Sequence, residues 1–244
     1  MAVTHFGFKT VDESEKTSLV RSVFDNVASK YDIMNDAMSF GVHRLWKREF
    51  INQIEIRDNQ RFLDVAGGTG DIAFKLLEKG ASHVTICDIN QQMLNEGRKR
   101  ADNANIIKNI EFLCADAENL PIESNSYNIY TIAFGIRNVT HIEKALAEAQ
   151  RVLAPGGGFL CLEFSQVNQP LFAKIYEQYS FNIIPKIGEL IAKDRDSYQY
   201  LVESIRKFPP QEKFANMIKE AGFAQVKYKN MSGGVVAIHS GYKI

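Results

Sequence analysis

The sequence has no excess of charge of either sign, since 29 Lys and Arg balance 29 Asp and Glu over 244 residues. A chain without a basic surplus has no general electrostatic reason to bind nucleic acid or an anionic surface. It also lacks an uninterrupted apolar stretch of spanning length, and a basic segment followed by a short apolar one. Neither a membrane span nor a secretory leader is therefore expected. An Arg-rich, acid-poor leader is missing too, which favours the bacterial cytoplasm over an organelle. Cysteine is scarce: Cys87, Cys114 and Cys161 form no C-x-x-C pair and fall in or at the ends of expected strands. They read as small buried hydrophobes in a reducing compartment. No His/Cys cluster has metal spacing, so no metal is expected, and there is no internal repeat or low-complexity segment.

What is present centres on Arg61-Phe62-Leu63-Asp64-Val65-Ala66-Gly67-Gly68-Thr69-Gly70-Asp71. Phe62, Leu63 and Val65 suit a buried strand, glycines cluster where the run stops, and Ile72 to Leu77 resumes at helical spacing. A strand, a glycine turn and a helix bring bare backbone N–H groups and a helix N-terminus close to a ligand. The dinucleotide fingerprint G-x-G-x-x-G is absent; the order is Asp64-x-Ala66-x-Gly68-x-Gly70. This resembles motif I of the class I S-adenosylmethionine (SAM) methyltransferases, in which the loop wraps the methionine half of SAM and no phosphate is bound. Such enzymes end their second strand with an acidic residue that accepts both ribose hydroxyls. Val84-Thr85-Ile86-Cys87-Asp88 supplies it. The resemblance implies SAM-binding positions at Asp64, Gly68, Thr69, Gly70 and Asp88.

Along the chain, residues 1–13 read as an arm. Ser14, Thr17 and Ser18 can cap a helix whose apolar stripe runs Leu19, Val20, Val23, Phe24, Val27, Ala28, Tyr31. Helices are expected at 72–79, 91–101, 141–153 and 211–221, and strands at 83–87, 110–114, 127–134 and 158–164. Strands separated by helix-length segments predict a parallel, doubly wound sheet covered on both faces. Pro155-Gly156-Gly157-Gly158 turns one helix sharply into the next strand, and the strand segments 226–230 and 235–239 form a terminal hairpin. Residues 165–207 break the alternation with many aromatic and aliphatic residues. They read either as a helical cap lining a lipophilic tunnel or as an ordinary second helical layer.

Ala28-Ser-Lys-Tyr31-Asp-Ile-Met-Asn-Asp36-Ala-Met-Ser-Phe-Gly-Val-His43-Arg-Leu-Trp-Lys-Arg-Glu-Phe50 is unusually specific for a region ahead of a cofactor loop. With Thr4-His5-Phe6-Gly7-Phe8 before it and the Asp64–Asp71 loop after it, the chain resembles the ubiquinone/menaquinone biosynthesis C-methyltransferase family along its whole length. The resemblance implies a single Rossmann-like class I SAM methyltransferase domain over 1–244. It would contain a mostly parallel seven-stranded sheet with a C-terminal antiparallel hairpin, an N-terminal helical substrate-side region at 1–50 and a helical cap at 165–207. It also implies methylation of a ring carbon on a polyprenyl benzoquinol or on demethylmenaquinol. Peripheral contact with the inner face of the membrane is expected, as is a homodimer or a quinone-synthesis complex; no nucleic-acid partner is.

A ring carbon becomes nucleophilic once an ortho or para hydroxyl loses its proton, so the acceptor must be the reduced quinol. The site must hold a quinolate and exclude water. Phe134-Gly135-Ile136-Arg137-Asn138 follows the fourth strand, where class I enzymes assemble their substrate site. Arg137 is always protonated, so it holds a quinolate, lowers a hydroxyl pKa or orients a water that takes the proton, unless it pairs with a carboxylate on the surface instead. Asn138 orients the same oxygen, and His43 and Tyr31 stand as proton acceptor and ring-positioning hydroxyl. Asp194 and Asp196 are further candidates from the cap. Asp116 and Ala117 match adenine-binding positions, although Asp116 could equally cap a helix. Ala133 stands where many relatives carry Ser, which leaves only backbone contact to SAM. The rival readings are a methyltransferase acting on oxygen or another apolar acceptor, and a SAM-binding scaffold without turnover.

Overall fold

The computed structural model describes residues 2–27, 35, 36, 39, 41–106, 108–167, 176, 178–189 and 194–244. Its main sheet has seven strands: β3 (Phe62–Val65), β4 (Val84–Asp88), β5 (Ile110–Cys114), β6 (Tyr127–Ala133), β7 (Leu153–Phe164), β8 (Phe223–Met231) and β9 (Val236–Lys243). The spatial order is β5-β4-β3-β6-β7-β9-β8. The first five strands are mutually parallel, and β9 runs antiparallel to both of its neighbours. The chain winds outward from β3 in one direction and from β6 in the other, so their carboxyl ends flank the switch point where an open α/β sheet forms its crevice.

Strand sequences explain the two-sided burial. Phe62, Val84, Ile86, Ile110, Leu160 and Leu162 belong to one core. Their alternating neighbours Leu63, Val65, Cys87, Tyr130, Ile132 and Cys161 belong to the other. A period-2 apolar run with no polar face fits only a strand covered on both sides. The first core takes helices α1 (Glu13–Val27), α2 (His43–Asn52), α3 (Asp71–Glu78) and α4 (Gln91–Asn103). The second takes α5 (Ile142–Val152) and, after the cap helices α6 (Ile184–Ile187) and α7 (Arg195–Lys207), the last helix α8 (Gln211–Glu220).

Several expectations need correction. The N-terminal arm is a β-hairpin, β1 (Val3–Phe6) and β2 (Lys9–Asp12), with Gly7 at φ +60 in its turn. Helix α1 begins at Glu13, and the Ser18 hydroxyl bonds back to the Glu15 carbonyl at 2.7 Å rather than capping the helix start. Residues 28–34, the end of the predicted stripe, lie outside the described residues. Strand β7 starts at Leu153, and the Pro155–Gly157 segment bulges between the pairings Tyr127↔Leu153 and Ile129↔Gly158. Cys114 is exposed, because it closes the edge strand β5, whereas Cys87 and Cys161 are buried as expected. Within the cap, a Cβ on Gly188 would overlap the Tyr198 ring, so the bare backbone there admits α7.

Candidate active site

The residues that follow β3 and β6, Ala66 at φ +51 and Phe134 at φ +58, hold left-handed backbone although neither is glycine. Such conformations cost on the order of 1–3 kcal/mol and persist where the surroundings over-determine them. Here the two turns press against each other, and a Cβ on Gly135 would overlap that of Ala66. Above them opens a cleft lined by Gly68, Asp88, Asn90, Asp116, Ala117 and Asn138 among others.

Asp88 forms the floor. Its Oδ2 accepts the Gly68 N–H at 2.9 Å and its Oδ1 accepts the Asn90 N–H at 2.8 Å. Burial pushes this carboxyl up to about 6, against the backbone N–H groups that favour its ionised form. Each oxygen keeps a further lone pair for a ligand hydroxyl. Asn90 caps α4 by accepting the Met93 N–H at 3.0 Å, and its Nδ2 donates to Asp25 Oδ1 at 2.8 Å and to the Arg21 carbonyl at 3.3 Å. Asp116 closes a short turn, accepting the Glu118 N–H at 2.9 Å, and does not cap a helix.

Helix α1 walls the cleft with Thr17, Val20, Arg21 and Phe24. Buried Lys16 donates to the Val139 carbonyl at 2.8 Å; burial lowers its pKa, against the charges of Glu118 and Glu13. His141 bridges Glu118 at 2.8 Å and Glu13 of α1 at 3.2 Å, and the hydrogen bond from Glu118 raises its pKa. The Glu118 Oε1 accepts the N–H groups of Thr140 and His141. The N-terminal helix was expected on the substrate side, but which of its residues face the cleft was not legible, because an amphipathic stripe does not say what it packs on.

Other predicted cofactor residues support the loop from behind and do not line the cleft. Asp64 is fully buried beneath it. Its Oδ1 accepts the Thr131 hydroxyl at 2.8 Å, and burial pushes its pKa to about 7. A Cβ on Gly67 would come within 2.7 Å of its Oδ2. Thr69 accepts from Arg100 at 2.9 Å, and Gly70, at φ +84, starts α3 against Ile86 and Phe74. Ala133 packs on the first core. Asp71 is tied to buried Lys47 of α2 at 2.7 Å; burial opposes its ionisation, but the charges of Lys47 and Lys75 hold its pKa below the usual range.

Of the predicted catalytic residues, the cleft takes Asn138 alone among those described, and Tyr31 lies outside the described residues. Arg137 points away into the protein, with its side chain 3% exposed, where it pairs with Glu163 of β7 at 2.7 Å. It also donates to the Phe134 carbonyl at 2.6 Å and to the Ser204 hydroxyl at 3.3 Å, and lies over the Phe164 ring. Burial raises the Glu163 pKa, and the Arg137 charge opposes that rise. The carboxylate partner is therefore a core residue rather than a surface one. Buried His43 faces Asp36 at 2.9 Å, and burial together with Lys47 lowers its pKa. Asp194 caps α7 through Ser197, Asp196 is exposed, and Arg195 pairs with Glu189 at 3.7 Å.

The residues present fit SAM: a half-buried carboxylate with free lone pairs stands at the cleft, beside a glycine loop whose backbone approaches it. The profile of the ubiE/COQ5 methyltransferase family matches residues 9–243. The ubiquinone/menaquinone biosynthesis C-methyltransferase UbiE of Cereibacter sphaeroides is 56% identical over 99% of this chain and 97% of its own length. The UbiE protein of Brucella abortus is 58% identical over 98% and 90%. Among solved structures, a SAM-dependent methyltransferase of Thermotoga maritima superposes with a TM-score of 0.67 at 18% identity, covering 91% of this chain and 99% of that one. A Haemonchus contortus phosphoethanolamine N-methyltransferase 2 in complex with SAM gives 0.62 at 15%, covering 82% and 52%. At such identities the structures speak for the fold, and the family rests on the full-length relatives. On that evidence the chain belongs to the ubiE/COQ5 methyltransferase family and is a SAM-dependent methyltransferase.

Proposed function

We infer that this enzyme methylates a ring carbon of a reduced polyprenyl quinone precursor, 2-polyprenyl-6-methoxy-1,4-benzoquinol, demethylmenaquinol or both. The observation that carries the reading is the unbroken family match through both the cofactor loop and the N-terminal signature, in relatives named for ubiquinone and menaquinone biosynthesis. SAM, when bound, supplies a methyl group already activated on its sulfonium. The chain's own part is placement. Asp88, held in place by the Gly68 and Asn90 N–H groups, anchors the cofactor end of the cleft, the Phe134–Gly135 turn forms the wall between cofactor and acceptor, and Asn138 offers polar contact at the acceptor's oxygen. Arg137 serves as a brace: it ties the left-handed Phe134 turn to β7 and α7.

The acceptor's tail belongs in a bilayer, and one surface suits such a neighbour. Phe8 of the hairpin turn is 51% exposed and Ile183 of the cap 47%. Phe8 stacks on Phe181, with Lys207 over Phe8 and Arg206 over Phe181. An apolar tip with a cationic rim matches an anionic membrane surface.

The test is transfer of labelled methyl from SAM to each reduced quinol, anaerobically in detergent, with oxidised quinones as controls. Label on a ring carbon of the quinols alone supports the reading, and tight SAM binding without transfer to any quinol sinks it. Flotation with phosphatidylglycerol vesicles, lost in Phe8→Asp, tests the membrane contact.

A further inference from the structure

Asn138 ends the turn after β6, and nothing in β6 decides which end of its amide faces the cleft. The deciding contact comes from 62 residues away. The Tyr200 hydroxyl of α7 donates to Asn138 Oδ1 at 3.0 Å. Tyr200 is 4% exposed, and burial raises its pKa, so the phenol stays protonated and keeps its single donor hydrogen. The phenol's one hydrogen needs an acceptor, so it holds the amide with its oxygen toward Tyr200 and leaves the NH2 end to be offered to a ligand.

Tyr200 is itself held. Its ring stacks on Phe6 of β1, with centroids 4.2 Å apart and planes 16° from parallel. The hairpin that carries Phe6 adds no strand to the main sheet and is pinned to the same helix: the Phe8 N–H donates to Glu203 Oε2 at 2.9 Å. A Cβ on Gly7 would overlap that carboxylate, so the turn needs glycine both for its φ and for this approach. From the other side, Arg137 donates to Ser204 of α7 and to the Phe134 carbonyl, which joins the helix to the base of the Asn138 turn.

We propose that Tyr200 is a positioning residue for methyl transfer: its hydroxyl, braced by Phe6 of the N-terminal hairpin, turns the Asn138 NH2 group toward the acceptor oxygen that becomes negative when its hydroxyl loses its proton, before that charge flows into the ring and the carbon takes the methyl from sulfur. This deepens the acceptor reading above and rests on it. A preorganised donor at a developing oxyanion is worth on the order of a hundredfold or more in kcat. A residue that only aims the donor should be worth less, about tenfold.

The experiment compares Tyr200→Phe, Asn138→Ala and the double variant in steady-state turnover of the reduced quinol, with SAM affinity by calorimetry and the Asn138 side-chain NH2 signals by NMR. Tyr200→Phe keeps the ring and its stack. It should shift the Asn138 signals, lower kcat about tenfold and leave SAM affinity within twofold. Adding it to Asn138→Ala should cost nothing further, because the hydroxyl then has nothing to aim. Asn138→Asp should be inactive at neutral pH and regain turnover toward acid, where a protonated carboxyl becomes a donor. Phe6→Leu should lie between wild type and Tyr200→Phe. Unshifted Asn138 signals, a fully active Tyr200→Phe or additive losses in the double variant would each overturn the proposal. A wild-type enzyme that methylates no quinol fails the acceptor reading instead, and the NMR comparison still decides whether Tyr200 holds Asn138.

Discussion

The two rims of the cleft are built from different materials. The cofactor rim is backbone and one carboxylate: Gly68, the turn at Ala66 and Asp88, all within 23 residues of chain. The rim proposed for the acceptor is backed by side-chain pairs drawn from across the fold, namely Arg137–Glu163, Tyr200–Asn138, Phe6–Tyr200 and Glu118–His141–Glu13. A ligand common to a whole superfamily can be gripped by main chain whose shape glycine and strand ends dictate. An acceptor peculiar to one family needs side chains, and their partners come from wherever the fold brings them.

The largest expected effect breaks the comparison on the acceptor side. Arg137→Ala strands the Glu163 carboxylate in the core, which should cost about 3–5 kcal/mol and lower the melting temperature by roughly 10 °C for a chain of this size. Replacing both partners, Arg137→Met with Glu163→Leu, should recover most of the stability. A calorimetric scan showing Arg137→Ala fully stable, together with lost turnover, would return Arg137 to direct contact with the acceptor.

On the cofactor side, Asp88→Asn removes a charged acceptor and should weaken SAM binding by about 1.5–3 kcal/mol, seen by calorimetry with little change in fold. The same residue sets a pH dependence. With its pKa near 6 it is ionised above that value. Ribose hydroxyls bind the ionised form, so affinity is full at pH 8 and falls as pH drops through 6, by up to about tenfold per unit. A flat profile, or one that survives in Asp88→Asn, would assign the anchor elsewhere. Stability runs the other way. A raised carboxyl pKa favours folding at low pH, and that contribution fades as pH rises through 6.

Gly135→Ala tests where the two rims meet. Its φ of −117 tolerates alanine, so the effect is purely the overlap with Ala66, about 1–3 kcal/mol of overpacking. Both melting temperature and SAM affinity should fall; a loss confined to stability would mean that the turns separate without disturbing the cleft. The smallest effect should come from Glu13→Gln, which loosens the α1 wall at a half-exposed ion pair worth at most about 1 kcal/mol. It should speed SAM dissociation less than about fivefold in stopped flow.

Much of the cofactor rim was legible because the signals are local. Asp64 through Gly70 and the acidic end of β4 could be read in order along the chain. Even there, lining and supporting residues looked alike: Asp64, Thr69 and Gly70 are buried as Gly68 is, and only their place relative to the cleft tells them apart. On the opposite rim Asn138, which lines the cleft, was legible, and what holds it was not. Glu163 reads as one polar residue in an apolar strand, and Tyr200 as one aromatic among many in the cap. Phe6 sits in a segment that reads as an arm, because a two-stranded hairpin has too few residues to declare itself until it finds a surface.

The sequence alone determined the alternating two-sided strands, the glycine loop, the acidic end of β4 and the family, since each lies in contiguous residues or in similarity along the whole chain. Only the tertiary structure decided that Arg137 turns inward to Glu163, that α1 walls the cleft and that Tyr200 meets Asn138. Those pairings join residues 26, 62 and more than 100 positions apart. Their existence depends on how strands and helices stack, which no local pattern encodes.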